Sequence, residues 1–388
     1  MSASETRRSS TRASQSGQLL LVAAFAIGLL FPAVGMMMGQ GGLVVSIELR
    51  FPEPLPGIPT TRDEVESFPK QMDTYLNDHF GYRSKLLSLN SRLFVAIGAS
   101  PSPKYLIGKD GWFFHRTADG VLDQYRGIDR FSPDELEHWV KTMEQTQQGL
   151  ARRGIRLLIA VAPSKHSIYP EFLPDWANVV HPTGRYQQIL NRVAEGSPLE
   201  IVDLHGPLRK AKKQHTLYYK HDAHWNQLGA HAAYVAIVER IRESHPNVPL
   251  RNLDWYDIEW IDGEAGSMIQ RLNIADKTAT GRPVLRPKSG SFVIRTDWPD
   301  GKPTGLMEMM HLTQVIESDL PNTPVVTFVR DSFATLIAEF TQESFKRTVL
   351  VHHGYGGFRR GLVLRQRPDI VVYEMTERGL SWRLRPGR

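Results

Sequence analysis

The sequence predicts an α/β protein whose main domain has three layers, with helices on both faces of a parallel β-sheet. Short runs rich in Val, Ile and Leu have the length of buried parallel strands, and helical stretches separate most of them. With 41% hydrophobic and 23% charged residues, the chain has the composition of a globular protein that buries a core. The predicted strands are Arg156–Val161, Glu200–Leu204, Val325–Val329, Thr348–His352 and Asp369–Tyr373.

The charge and the cysteine content exclude several classes of function. The chain has 47 Lys and Arg against 41 Asp and Glu, a net charge of +6, and these charges are dispersed along the sequence. Dispersed charge of this size argues against nucleic-acid binding. The absence of cysteine excludes disulfides, cysteine-ligated zinc, iron–sulfur clusters and a thiol nucleophile.

The amino terminus predicts export. No charged residue occurs between Ala13 and Ile47, and the apolar run Leu19–Met38 is long enough to cross about 30 Å of hydrocarbon. The basic residues before this run favour a cytoplasmic amino terminus; they are Arg7, Arg8 and Arg12. We therefore expect a cytoplasmic tail (residues 1–17) and a transmembrane signal anchor (18–39). A cleaved signal ending near Ala33-Val34-Gly35 and a buried core helix are the alternatives.

The remaining chain divides into a linker and one large domain. Four prolines between residues 52 and 59 predict a stiff linker over residues 40–62. The domain is expected over residues 63–388, outside the cytoplasm. Within it, the Pro-, Gly- and polar-rich segment 245–320 is interpreted as an inserted lid or substrate-facing excursion.

Local signals define the elements that precede the sheet. Residues 63–99 have helical spacing of apolar side chains, and Tyr105–Asp123 predicts a hairpin that turns at Lys109-Asp110-Gly111. Ser132-Pro133-Asp134-Glu135 has the features of a helix start, with Ser as N-cap, Pro at N1 and Glu closing a capping box. Helices are also expected over Gln227–Glu243 and Phe333–Phe340.

Candidate catalytic residues follow the predicted strands, at the edge of the sheet where ligands of parallel sheets bind. Ser332 lies at a strand-to-helix junction, where a nucleophilic hydroxyl is close to backbone N–H groups that stabilise an oxyanion. The structural alternative is that Ser332, or Asp331, simply caps the helix.

Asp222 and His224 form a second candidate pair, just before the helix that Asn226 is expected to cap. An Asp two residues before a His on a tight turn can accept the Nδ1–H bond and leave Nε2 free as a base. Two alternatives compete: the pair only fixes the turn, or the neighbourhood binds a metal ion through residues that include His221 and His231. The loose spacing and the lack of a helical HExxH motif make metal a minor alternative.

Four further residues are candidates for substrate or oxyanion contacts. Lys165 follows the first strand and could bind an anionic substrate or hold a loop through its carbonyls. Tyr355 lies in the Gly-rich segment 352–357 after the fourth strand, where a side chain or backbone N–H could complete an oxyanion hole. Trp225, like Trp112, is a candidate for stacking on a sugar, and Arg330 could supply a charge next to the nucleophile.

Five segments together resemble the SGNH hydrolase-like domain of the alginate O-acetyltransferase family, the AlgJ/AlgX type. The resemblance covers roughly residues 68–380, and the order and spacing of the segments are more specific than any one of them. The segments are Leu76–Arg83, Gly108–Phe114, Pro163–Glu171, Asp222–Asn226 and Arg330–Phe333.

The resemblance implies a flavodoxin-like SGNH fold with a circularly permuted motif order, in which the Asp–His element precedes the Ser. It implies an acetyl-enzyme mechanism with Ser332 as nucleophile, His224 as general base and Asp222 as the orienting carboxylate, without a metal or other cofactor. It also implies a periplasmic polysaccharide acceptor and a separate multipass membrane-bound acyltransferase that supplies acetyl groups. Arg330 departs from the pattern because a Gly often stands there, and the second oxyanion donor is unassigned.

We therefore expect a single-pass protein of the inner membrane whose main domain is a periplasmic O-acetyltransferase acting on an exopolysaccharide, alginate-like or another cell-surface glycan. Two alternatives stay open. A carbohydrate acetylesterase would use the same site with water as the acceptor. A non-catalytic scaffold of a polysaccharide secretion complex would use only the fold.

Overall fold

The structure is a computed structural model that describes residues 3–40, 51–263, 266–275, 281–288, 295–301, 312–354 and 357–382. The chain forms two compact units. The first comprises Met1–Pro101 with Ile269–Lys277, and the second comprises Ser102–Met268 with Thr278–Arg388. The candidate catalytic residues all belong to the second unit.

The first unit contains the apolar helix α1 (Ala3–Met37), α2 (Arg62–Asp78) and α3 (Arg83–Ala96). Within α1, Gly17–Met37 is long and apolar enough to cross a membrane, and its side chains are almost entirely exposed. The exposed apolar surface is what a lipid-facing segment requires. This helix is a candidate membrane span and agrees with the span predicted from the sequence.

Glycine permits a close approach at the end of α1. A Cβ atom on Gly81 would lie 2.1 Å from the Pro32 carbonyl oxygen, so only Gly fits there. Phe31 stacks on Tyr82 with ring centroids 4.5 Å apart, and the Tyr82 N–H donates to the Gln40 carbonyl. The turn between α2 and α3 therefore packs directly against the carboxyl-terminal end of α1.

The second unit contains a seven-stranded sheet with the order β4-β3-β11-β9-β10-β8-β7. The strands β4, β3, β11, β9 and β10 are parallel, whereas β8 and β7 are each antiparallel to the preceding strand in this order. The strands are β1 (Tyr105–Ile107), β2 (Phe113–His115), β3 (Arg156–Ala162), β4 (Ile201–Val202), β5 (Tyr256–Ile261), β6 (Arg282–Pro287), β7 (Arg295–Asp297), β8 (Gln314–Glu317), β9 (Val325–Arg330), β10 (Arg347–His352) and β11 (Ile370–Thr376).

Helices cover both faces of this sheet, as the sequence predicts. On β3, Leu158 and Ala160 join the core on one face, whereas Leu157 and Ile159 join the core on the other, so the strand is apolar at every position after Arg156. The helices that follow α3 are α4 (Val121–Tyr125), α5 (Pro133–Ala151), α6 (Lys165–Ile168), α7 (Arg185–Ala194), α8 (His205–Ala211), α9 (Gln227–Arg242), α10 (Ser267–Arg271), α11 (Ala334–Thr341) and α12 (Arg360–Arg365).

The two core clusters separate these helices into layers. Side chains of α8, α9 and α11 belong to one cluster, and side chains of α5, α7 and α12 belong to the other. The domain is therefore a three-layer α/β/α sandwich, which confirms the predicted fold class.

Two local predictions are also confirmed. Tyr105–Ile107 and Phe113–His115 pair as an antiparallel hairpin. Ser132 caps α5, since its side chain accepts from the Glu135 N–H while the Glu135 carboxylate accepts from the Ser132 N–H. Both elements depend on signals contained within a few residues, which is why the sequence predicts them well.

The segment 245–320 has more regular structure than its composition suggests. Its strands β5 and β6 form a separate antiparallel hairpin, while β8 pairs with β10 and β7 pairs with β8. Part of the segment therefore extends the central sheet. Its role as a lid or substrate-facing excursion stays a prediction.

Candidate active site

Ser332 is held at the end of β9 by its neighbour Asp331. One carboxylate oxygen of Asp331 accepts from the Phe333 N–H at 2.9 Å, and the other accepts from the Thr376 N–H at 2.8 Å. Asp331 thus satisfies backbone groups at the junction between β9 and α11. The Ser332 hydroxyl is not needed for that task and is directed to His224.

Three side chains that the sequence singles out lie in one hydrogen-bonded row. His224 Nε2 is 2.8 Å from Ser332 Oγ, and His224 Nδ1 is 2.6 Å from Asp222 Oδ1. Asp222 Oδ1 also accepts from the His224 backbone N–H at 2.9 Å, which closes a tight turn around the pair. This is the geometry in which a carboxylate orients an imidazole toward a hydroxyl.

The environment of Asp222 keeps its carboxylate ionised. Burial by itself raises the pKa of Asp222, but the adjacent His224 and hydrogen bonds from His224 and Ser267 lower it well below its ordinary value. The Ser267 backbone N–H donates to Asp222 Oδ2 at 2.9 Å. Sequence reasoning missed this contact because Ser267 lies 45 positions away, at the start of the short helix α10.

Lys165 holds the turn that carries His224 from the interior of the protein and is not directed at a substrate. It is 3% exposed, and its Nζ donates to the carbonyls of Tyr219, Lys220 and Asp222 at 2.9, 3.1 and 2.7 Å. Burial lowers the pKa of Lys165 to about 7, although the Asp222 carboxylate opposes this shift. Of its two predicted roles, Lys165 therefore performs the structural one and holds the loop by its carbonyls.

Trp225 is a structural residue, which corrects the prediction that it stacks on a sugar. Its side chain is fully buried, and its indole N–H donates to the Phe333 carbonyl at 3.0 Å. It thereby connects the turn that carries His224 to the loop that carries Ser332. Trp112 is buried as well and stacks on Tyr169 and Phe172, so neither tryptophan ring is exposed to a substrate.

Arg330 is also directed into the protein, which corrects its assignment to the substrate site. It is 1% exposed, and its guanidinium donates to the Asp331 carbonyl and the Thr335 hydroxyl. Glu374 lies in the same buried region and accepts from the Asp331 N–H at 3.1 Å. Burial and the nearby Asp331 raise the pKa of Glu374 well above its ordinary value. These groups support the nucleophile loop from inside the sheet.

The predicted second oxyanion donor stays unassigned. Tyr355 and Gly356 lie outside the described residues. The N–H of Gly354, also proposed for this role, donates to His352 Nδ1 at 3.0 Å. The Ser332 backbone N–H, at the amino-terminal side of α11, stays the predicted first donor.

Two basic residues line a small cavity next to the triad, and sequence reasoning missed one of them, His115. His115 at the end of β2 and Arg378 after β11 share this cavity with Ala223 and Phe333, the neighbours of His224 and Ser332. Burial and the nearby Arg378 lower the pKa of His115 to about 3, so this imidazole is neutral at physiological pH. The only sequence signal for His115 is its position directly after the Gly108–Phe114 segment.

The metal alternative finds no support in the part of the chain that the structure describes. No group of three or more His, Asp or Glu side chains there is arranged to hold a metal ion. Both ring nitrogens of His224 face partners, Asp222 and Ser332, and His231 Nε2 lies 2.9 Å from the Arg251 carbonyl.

Comparison with known proteins gives sequence and structural relatives. Residues 106–287 match the family of the SGNH hydrolase-like domain of acetyltransferase AlgX, a range that includes Asp222 and His224 but ends before Ser332. The probable alginate O-acetylase AlgJ of Pseudomonas aeruginosa is 30% identical over 179 residues, 45% of this chain and 44% of the relative. AlgJ of Pseudomonas syringae pv. tomato is 25% identical over 177 residues, 46% of this chain and 43% of the relative. The chain thus matches less than half the length of these curated relatives.

Two solved structures have the same fold. PatB1 of Bacillus cereus superposes with a TM-score of 0.52 and 17% identity, covering 72% of this chain and 97% of PatB1. A DHHW family protein of Eubacterium siraeum gives a TM-score of 0.51 and 17% identity, covering 71% of this chain and 91% of that protein. Residues 106–287 are therefore similar in sequence to the SGNH hydrolase-like domain of acetyltransferase AlgX, and the two solved structures show that the fold is shared.

Proposed function

We propose that this protein is a membrane-anchored O-acetyltransferase that moves an acetyl group through Ser332 onto a hydroxyl of an exopolysaccharide. The observation that carries the proposal is the row Asp222–His224–Ser332, with contacts of 2.6 and 2.8 Å. The alginate O-acetylase names of the sequence relatives support the acyl group and the polysaccharide acceptor. The exposed apolar helix supports an inner-membrane anchor with the catalytic domain in the periplasm.

In the first half-reaction, Ser332 Oγ attacks the carbonyl carbon of the donor acetyl ester or thioester while His224 Nε2 accepts the hydroxyl proton. The Nδ1–H of His224 donates to Asp222, whose negative charge stabilises the imidazolium. The Ser332 backbone N–H stabilises the tetrahedral oxyanion. When the intermediate collapses, the bond to the donor breaks, His224 returns the proton to the leaving group, and Ser332 carries the acetyl ester.

In the second half-reaction, a sugar hydroxyl replaces the donor. His224 accepts the proton of this hydroxyl as its oxygen attacks the acetyl carbon, and the same proton then returns to Ser332 Oγ as the acyl–enzyme bond breaks. Water can take the place of the sugar, which gives hydrolysis, so the chemistry of the triad is shared with an esterase. Acceptor binding decides which product forms. The partner expected to present acetyl groups is a multipass membrane-bound acyltransferase.

The proposal is tested by supplying an activated acetyl ester together with a mannuronate hexasaccharide and measuring both products. We expect acetylated hexasaccharide by mass spectrometry, with a yield that depends on Ser332 and His224. Free acetate alone, in amounts that depend on Ser332, would replace the transferase by an esterase. Neither product, from folded protein, would favour the scaffold alternative.

A further inference from the structure

A second cavity, of about 560 Å³, lies away from the triad but at the same edge of the sheet. Its lining includes Asp203 after β4 and Glu377 after β11, so it opens where parallel strands end, as the triad does. We call it the distal cavity. In the order β4-β3-β11-β9, three strand spacings separate β4 from the strand that leads to Ser332. At about 4.8 Å per spacing, the β4 side of the cavity, which holds Tyr186 and His205, is roughly 15 Å from that strand along the edge. Glu377, after β11, lies on the side nearer to the triad.

The distal cavity is lined by buried polar atoms that have no hydrogen-bond partner among the described residues. They are Tyr186 Oη, Gln124 Oε1 and both ring nitrogens of His205. All three residues are at least nine-tenths buried. His205 Nε2 is 3.7 Å from Glu377 Oε1, which is too long for a hydrogen bond. Buried polar atoms are rarely left without a hydrogen-bond partner. These atoms therefore point to a ligand that supplies the missing partners.

The chemistry of the lining selects the class of ligand. The unpartnered atoms include both hydrogen-bond donors and acceptors. Because burial raises the pKa of Tyr186, its hydroxyl stays protonated and can either donate or accept a hydrogen bond. Tyr186 and His205 are stacked with ring centroids 4.3 Å apart, so each ring fixes the position of the other and the lining also has aromatic atoms. Hydroxyl groups donate and accept at once, and the faces of sugar rings are apolar. The lining therefore fits a sugar ring.

The charges at the cavity do not favour a phosphate or a metal ion. The Asp203 carboxylate accepts from the N–H groups of His205 and Gly206, and Glu377 accepts from the Ser164 N–H and the Ser167 hydroxyl. Arg185 is paired with Asp129 at 2.6 Å. Both carboxylates and Arg185 are thus engaged by the protein itself. Arg209 is the other charged residue of the lining, so carboxylates and guanidinium groups are equal in number and the ligand meets no excess of either charge.

We propose that the distal cavity binds a sugar ring of the acceptor polysaccharide, several units away from the ring whose hydroxyl takes the acetyl group. This inference rests on the proposed function and extends it to the substrate. A chain anchored in the distal cavity and running along the sheet edge presents a ring at Ser332. A short acceptor cannot reach both places, so the enzyme selects polymers over their small fragments.

Binding is tested with the full-length Ser332→Ala protein in detergent, which cannot turn over. The probes are a mannuronate hexasaccharide and the neutral cellohexaose, measured by calorimetry. We expect at least one hexasaccharide to bind, and Tyr186→Phe or Gln187→Trp to weaken it at least tenfold. Gln187 is an exposed cavity residue, so Trp there obstructs the opening without disturbing the core. Tyr105→Phe, the same chemical change on β1 outside the cavity, is the matched control and should have no effect.

Transfer measurements separate this inference from the proposed function. With active enzyme, the ratio of transfer to hexasaccharide over disaccharide should fall at least tenfold in Tyr186→Phe and Gln187→Trp. Unchanged binding and an unchanged ratio in both variants would overturn the distal sugar site, as would failure of both probes to bind the Ser332→Ala protein. If a hexasaccharide binds with the expected dependence on the cavity but no acetyl group ever reaches Ser332, the sugar site stands and the catalytic proposal fails.

Discussion

The Ser332 hydroxyl lies 2.8 Å from His224 Nε2, and Asp222 lies 2.6 Å from the other ring nitrogen, so each residue has a different role in the proposed mechanism. In the proposed mechanism, acetyl transfer to Ser332 requires both the nucleophile and the base. Removing the carboxylate charge leaves both groups in place but takes away the partner that fixes the tautomer. The three side chains therefore act as a unit, and single substitutions are not additive.

We expect Ser332→Ala and His224→Ala each to lower turnover of an activated acetyl ester by at least about a thousandfold. Asp222→Asn should also lower it, by about a hundredfold or more, because the amide no longer stabilises the imidazolium. Steady-state kinetics measure these losses, with the melting temperature as a check on folding. Retention of most of the activity in His224→Ala would contradict the assigned base.

The lowered pKa of Lys165 predicts that the stability of the protein depends on pH. Its pKa is about 7 in the folded protein and about 10.4 in an unfolded chain, so between these values the unfolded state binds a proton that the folded state does not. Stability contributed through Lys165 therefore rises with pH between about 7 and 10, by up to about 1.4 kcal/mol per pH unit.

The matching experiment compares denaturant unfolding of the wild type and Lys165→Met at pH 7, 8 and 9. The free energy of unfolding of the wild type should rise with pH relative to that of the variant. Parallel pH profiles for the two proteins would show that Lys165 does not titrate in this range.

Among the secondary-structure elements, α9 most directly positions the catalytic turn. The Asn226 side chain accepts from the N–H groups of Leu228 and Gly229 and donates to the Thr216 carbonyl, so one residue caps the helix and holds the loop before the turn. A Cβ atom on Gly229 would lie 2.4 Å from the Leu217 carbonyl oxygen. The helix and the loop touch through backbone atoms, which cannot move aside easily.

A pair of glycine substitutions tests this contact. Gly229→Ala should lower both the melting temperature and the acetyl turnover, because the added methyl group pushes the loop that carries His224. Gly149→Ala in α5 is the control, because the nearest atom there is the flexible end of Arg360 at 3.1 Å and Ala has the better helix propensity. We expect unchanged or higher stability for this variant. Equal effects of the two substitutions would show that the close contact at Gly229 does not position the catalytic turn.

The parts of the fold that the sequence predicts are those with local signals. Strands such as β3 and β11 are rich in apolar residues because both faces are buried, and the hairpin and the Ser132 cap depend on adjacent residues. By contrast, β7 and β8 are short strands in a Pro- and Gly-rich segment. The pairing of β8 with β10, which joins both strands to the central sheet, is a tertiary contact that no local pattern encodes.

The same distinction applies to the site. Asp222 and His224 lie two positions apart, so their contact is visible in the sequence, and the strand-to-helix junction marks Ser332. The side-chain directions of Trp225 and Arg330 are set by packing, and both point inward although their positions flank the triad. The distal cavity collects residues from positions 124 to 377, which only the folded chain brings together.

At the scale of the whole molecule, the apolar helix Gly17–Met37 is a candidate membrane span, and it bears on where in the cell the protein acts. We expect an uncleaved anchor with the catalytic domain on the periplasmic side. A phosphatase that is active only after export should be active when fused after residue 60, and the membrane-bound protein should retain its amino terminus. A soluble product that begins near residue 36 would show a cleaved signal.

The central claim is that Ser332 carries the acetyl group, and the intact mass of the protein tests it most directly. Wild-type protein is mixed with p-nitrophenyl acetate, quenched and weighed beside Ser332→Ala. If Ser332 is the nucleophile, we expect a gain of about 42 Da on the wild type, located on the peptide that contains Ser332, and no such gain on the variant. An acetyl group that forms equally on both proteins, or turnover that does not depend on Ser332, would contradict it.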